Sequence, residues 1–122
     1  MNWGRSAIEL RSADAVTSQI SAVAASGLLK GLTFSGASAA DGPYGDAWSD
    51  AHLPVLSADP ASGSLLDDAH VRAALGAAAA VDWLGVKVSR RPHDRTAADI
   101  VRTVESNLTA IRTVRPDGEV NA

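Results

Sequence analysis

The sequence predicts a mainly α fold, a small helical bundle built on an antiparallel helical hairpin. Two long segments, one centred near Ala77 and one near Val104, repeat apolar residues at helical spacing. Each is preceded by an approximate capping box, Ser64-Leu65-Leu66-Asp67 and Thr96-Ala97-Ala98-Asp99. The link between them, Ser89–Arg95, contains Pro92 and is short enough for a hairpin. The alternative is an α+β arrangement with a short two- or three-stranded sheet, pairing Leu32–Ser35 with Val86–Ser89 or with Leu53–Leu56.

Residues 1–12 are mixed. Ile8 and Leu10 alternate with polar neighbours, which suits a brief strand or a lead-in to a helix. Helix one is expected over about 13–30, where Val16, Ile20, Val23 and Gly27 share a face. Ser12 is its candidate N-cap and Asp14 complements the dipole in the first turn. A Gly- and Pro-punctuated insertion follows at about 31–63, carrying Gly31, Gly36, Gly42, Gly45, Pro43, Pro54 and Pro60. A structureless loop of that length is unusual, so a short helix near Asp46–His52 or a functional, mobile insertion is expected.

Helix two is expected over about 65–86, with apolar side chains around more than half its circumference. Its end, Val86–Ser89, alternates and could turn into a strand. Helix three is expected over about 96–114, on the seven-residue stripe Ala97, Val101, Val104, Leu108 and Ile111. Ile100 and Val114 widen that stripe, Pro116-Asp117-Gly118 ends the helix, and the tail to Ala122 is expected to fray.

A length of 122 residues suits a single domain, 1–122. The 24 alanines against five aromatic residues make a thin core, or one built where helices approach closely. Without cysteine there is no disulfide framework, thiolate metal site or cysteine nucleophile. No apolar window long enough to span a membrane occurs, and the N-terminus lacks a secretory signal pattern. The expected location is the cytoplasm, or outside the cell by export without a classical signal peptide. A net charge of −3 disfavours nucleic acid as the main partner. Abundant Ala, Asp, Arg and Val with only two lysines is the bias of a GC-rich, actinobacterial-like genome.

Chemistry is sparse. Asp67 and His70 sit one helical turn apart, and Asp50 and His52 could join them as a metal site if residues 46–56 fold back. Only two ligands are fixed by spacing, and the plainer reading is a solvated helix N-terminus, so no metal and no cofactor is called for. Ser57, Ser62 and Ser64 lie near His52 and Asp50 but in no nucleophile-elbow pattern. The stretch Gly36–Gly42 matches neither a dinucleotide nor a phosphate loop. No catalytic residue is assigned, and the chain reads as leaning away from an enzyme. Lys87, Arg90, Arg91 and Arg95 form a basic run suited to an anion or an acidic partner, or simply to a solvated turn.

Trp83 follows Gly76, Ala79 and Ala80 on one helical strip, where it could lid a groove of small residues. Trp48 and Tyr44 lie in the insertion and are residue types that anchor interfaces. With Val101, Val104, Leu108 and Ile111 they make the candidate interface.

Helix one, the Trp83-Leu84-Gly85 W-x-G and helix three together resemble the small helical-hairpin partners of type VII secretion systems. That resemblance implies a paired helical bundle. Trp83 ends helix two instead of occupying a turn, and Arg90 stands where the family's tail signal has Tyr. No functional residue is carried across. The expected function is a non-catalytic helical protein–protein interaction or assembly module with a homo- or hetero-oligomeric interface. A secretion partner, an antitoxin or immunity protein and a phage structural component all fit it. The alternative is a small metal-dependent enzyme using Asp50, His52, Asp67 and His70.

Overall fold

A computed structural model describes residues 1–114, and the expected helix stop at Pro116–Gly118 and the tail beyond it lie outside the described residues. The fold is a mixture of α and β: four helices and a small parallel sheet, 45% helical. The helical bundle with an antiparallel hairpin is therefore overturned, and so is the all-α reading. Nothing among the described residues indicates an oligomer.

The first two residues lie against Gly31–Thr33. The amino group of Met1 donates to the Gly31 carbonyl at 2.9 Å, and the Thr33 amide donates to Met1 O at 2.8 Å. Helix α1, Trp3–Leu10, starts at once, because the Asn2 side chain accepts the Arg5 amide at 3.1 Å. Gly4 lies against backbone, where a Cβ would stand 2.5 Å from Ser35 O, so α1 approaches the Ser35–Gly36 backbone more closely than any other residue allows. Helix α2, Asp14–Ala25, occupies the expected helix one but ends earlier. The N-cap position falls on Ala13, one residue after the expected Ser12, although Ser12 Oγ still accepts the Ala15 amide at 3.1 Å, and Gly27 at φ 77° turns the chain out.

Strand β1, Gly31–Phe34, pairs in parallel with β2, Trp83–Val86, in the register Gly31↔Trp83 to Phe34↔Val86. Between them lie a loop, a 3-10 turn at Leu56–Ala58 and helix α3, Asp68–Ala78. Asp67, not Ser64, caps α3, its carboxylate accepting the His70 amide at 2.8 Å. The expected helix two breaks at Ala79, which adopts φ 56°, ψ −124°. The alanines of 77–80 carry the helical period without bulk, while Val81–Val88 is rich in the branched and aromatic residues that favour a strand. The W-x-G thus lies in β2, not in a helical hairpin. Strand Leu32–Ser35 of the alternative is nearly β1, but its partner is Trp83–Val86.

Helix α4, Ala97–Thr113, is close to the expectation, and both halves of the Thr96/Asp99 capping box form. The segment Ser89–Arg95 joins β2 to α4 and is no hairpin loop. Helices pack in succession, α1 on α2, α2 on α3 and α3 on α4. The core gathers Trp3, Val16, Ile20, Leu32, Phe34, Leu66 and Val71.

Candidate interaction surface

The parallel sheet has two unlike margins. On one, Asn2 bridges Thr33 of β1. On the other, β2 has no strand neighbour among the described residues. Just past the strand, Lys87 directs its amide to Phe34 O at 2.9 Å, so by the alternation of a strand the amides of Leu84 and Val86 point away from β1. Trp83 is 51% exposed and Leu84 is 47% exposed. The Trp83 indole lies over Gly31, where a Cβ would stand 1.9 Å from its ring. Beside this edge a groove of about 430 Å³ is lined by Leu75, Ala78, Ala79, Ala80, Leu84, Ile111 and Arg112, with Trp83 at its wall. Sequence reasoning named Trp83 and the small residues beside it but missed Leu84, which the helical period hid on the buried stripe.

The α4 stripe divides. Ile111 is buried, Val104 and Leu108 are half-buried, and Val101 is 53% exposed. The residues facing inward are Thr103, Asn107 and Ile111. Asn107 Oδ1 accepts the Val55 amide at 2.8 Å and its Nδ2 donates to Thr103 O at 2.8 Å. Thr103 Oγ1 donates at 2.7 Å to the buried carboxylate of Asp94. That hydroxyl bond holds Asp94 below the usual carboxylate range, against burial, with help from the Arg91 amide. The docking face of α4 is thus half polar, which no apolar period reveals.

The other named residues are engaged within the fold. Tyr44 donates to Asp59 at 2.8 Å, and burial with that carboxylate pushes the phenol pKa up. Trp48, at φ 56°, lies under the Arg11 guanidinium, 5.7 Å from the ring centroid. In the basic run, Arg90 donates to Asp94 O at 2.8 Å, Arg91 to Ala58 O at 3.1 Å and Arg95 to Pro92 O at 3.0 Å. Lys87 is exposed.

The Asp and His residues separate into two places. Asp50 pairs with Arg5 at 3.1 Å and stands 3.3 Å from His52 Nε2 without hydrogen-bond alignment. His70 is held by Asp67 on Nδ1 at 2.7 Å and by Asp14 on Nε2 at 2.8 Å, with Trp3 edge-on to its ring. The two carboxylates approach opposite edges of the imidazole and share no point with it. Among the described residues no three His, Cys, Asp or Glu side chains are arranged to hold a metal ion. No helix among them is long and apolar enough to cross a membrane.

Residues 1–103 match the family model described as a domain of unknown function, DUF4862. No curated protein and no solved structure matches the chain.

Proposed function

The chain belongs to the DUF4862 family, and we propose that it is a non-catalytic protein-binding module whose contact surface is the outer edge of β2. The supporting observation is the pair Trp83 and Leu84. Both are about half exposed, on a parallel strand with no outer neighbour among the described residues. Parallel strands are ordinarily covered on both faces, and an open strand edge is a template for another chain. A large aromatic beside an apolar groove is also the usual anchor of an interface.

The partner is a polypeptide. The net charge of −3 and the engagement of Arg90, Arg91 and Arg95 with backbone carbonyls disfavour nucleic acid. A contact of this kind suits a secretion partner, a toxin-neutralising protein or a phage component. The setting is cytoplasmic, or extracellular after export. The metal-dependent enzyme reading gains nothing from residues that lie in two separate clusters.

The test compares the chain with Leu84→Lys, which alters a half-exposed position and leaves the core intact. Purified from its native host, the chain is expected to bring a stoichiometric protein that the variant loses at least about tenfold, because a buried unpaired charge weakens binding strongly. A monodisperse chain that carries nothing, or equal retention by both forms, would falsify the reading.

A further inference from the structure

Asn2, β1 and β2 run the same way, so their carboxyl ends lie on one side of the sheet. In parallel α/β sheets that is the side outside which ligands sit. Here a loop crosses it. Just past β1, Leu53 exchanges both backbone hydrogen bonds with Gly36, at 2.7 and 3.1 Å. Just past β2, His52 O accepts the Ser89 amide and Ala51 O accepts Ser89 Oγ, each at 2.9 Å. Arg5, in the first turn of α1, reaches the same loop through Asp50. Three parts of the chain thus bring Arg5, Asp50, His52 and Ser89 together at the carboxyl ends.

The donors of this cluster are only partly used by the fold. The side chains of Arg5 and Asp50 are 61% and 44% exposed. His52 Nε2 is buried without a hydrogen-bond partner, and Asp50 Oδ1 stands 3.3 Å from it out of alignment. Among the described residues, the amides of Asp50, Ala51 and His52 donate no hydrogen bond. Trp48 and His52 hold positive φ, 56° and 52°, a strained conformation that gathers at ligand clamps. A guanidinium, an imidazole and successive backbone amides are the donors of an anion site. The anion that stands among them is the chain's own Asp50. Its two oxygens satisfy Arg5 and leave His52 unbonded. A tetrahedral oxyanion, with more oxygens than a carboxylate, can meet both.

We propose that Arg5, His52 and the amides of residues 50–52 bind the phosphate group of a small ligand, which displaces the Asp50 carboxylate from between them. Asp50 is the stand-in that keeps Arg5 in place while the site is free of ligand. The site makes no use of Trp83 or Leu84, so it is independent of the protein-binding reading of the β2 edge.

The test titrates inorganic phosphate into the full chain and into single variants, followed by calorimetry and by the histidine ring resonances. One equivalent is expected to bind in the millimolar range or tighter. It should shift the His52 resonances and leave those of His70, whose two ring nitrogens are already engaged. Arg5→Gln is expected to weaken binding at least about tenfold, the worth of one charge-assisted hydrogen bond. Asp50→Asn is expected to tighten it, because the resident carboxylate is gone. Asp46→Asn makes the same charge change at an exposed residue of the same loop and should leave binding as it was. Unchanged His70 resonances verify that each variant is folded. No saturable binding, full retention by Arg5→Gln, or equal tightening by Asp46→Asn overturns the site. Acetate binding as tightly as phosphate overturns the assignment to phosphate.

Discussion

Asn107, in the third turn of α4, accepts the backbone amide of Val55 at 2.8 Å with both residues buried. Its amide nitrogen donates in turn to Thr103 O. One side chain therefore joins α4 to the Pro54–Leu56 segment fifty-two residues earlier. A buried backbone donor without a partner costs about 1–3 kcal/mol. Asn107→Leu is expected to lose that much stability in urea unfolding, whereas Val101→Ala, at an exposed position of the same helix, should stay within about 0.5 kcal/mol. Equal effects would mean that α4 docks through its aliphatic stripe after all.

Three glycines separate close approach from open space. A Cβ at Gly4 meets Ser35 O at 2.5 Å, an atom of backbone that cannot step aside. A Cβ at Gly31 meets the Trp83 ring at 1.9 Å, but that indole is half exposed and can swing out. At Gly76, inside α3, nothing lies within 4 Å. Gly4→Ala is expected to destabilise by about 1–3 kcal/mol and Gly31→Ala by less, with a red-shifted tryptophan emission. Gly76→Ala should stabilise by about 0.5–1 kcal/mol, the helix-propensity difference. Thermal unfolding of the three variants fixes the order.

The Asp14–His70–Asp67 bridge makes stability depend on pH at both ends. Burial opposes the charged imidazole, yet the hydrogen bonds its ring donates to Asp14 and Asp67 outweigh it and raise the His70 pKa above 6.5. Burial likewise pushes Asp67 up, and the His70 amide and ring outweigh it, lowering Asp67 below 3.8. The His70 contribution is complete below the unfolded value near 6.5 and is lost as pH rises through the higher folded value. The Asp67 contribution is complete above the unfolded value near 3.8 and is lost as pH falls through the lower folded value. The bridge therefore contributes most between about pH 4 and 6.5. Urea midpoints across pH should show His70→Asn costing more at pH 5.5 than at pH 8.5. A pH-independent cost would show that the bridge is not ionic.

The legible parts of the sequence were those in which local chemistry and tertiary position agree. Thr96 and Asp99 announce α4, and Ser12 and Asp14 announce α2, because caps act over three or four residues. Helix α1 escaped notice because its eight residues carry only Trp3 and Ala7 into the core as an i,i+4 pair. Strand β2 was read as helix because Leu84 and Val88 extend the period of Ala77 and Ala80, and alanine fits either state. The pairing of Gly31 with Trp83 is non-local and leaves no periodic trace. Helix content does not separate the two folds either, since 45% helix lies above the globular average of about a third. Of the candidate surface, Trp83 and the α4 stripe were legible as residues, but their placement beside an open strand edge depends on that same pairing.

Ala79 offers a direct discrimination between the continuous helix that periodicity suggests and the helix–strand break that forms. Its backbone at φ 56°, ψ −124° belongs to a region that an L side chain rarely enters and that glycine enters freely. Holding alanine there costs on the order of 1–3 kcal/mol. Glycine removes this strain but adds about 0.5–1 kcal/mol of unfolded-state entropy. Ala79→Gly is thus expected to stabilise the chain by up to about 2 kcal/mol. Inside a continuous helix the same substitution would destabilise by about 1 kcal/mol. The sign of the change in urea midpoint therefore decides between them. Ala79→Leu, which keeps the strain and gains helix propensity in neither arrangement, should leave the midpoint lower than that of Ala79→Gly only if the break is real.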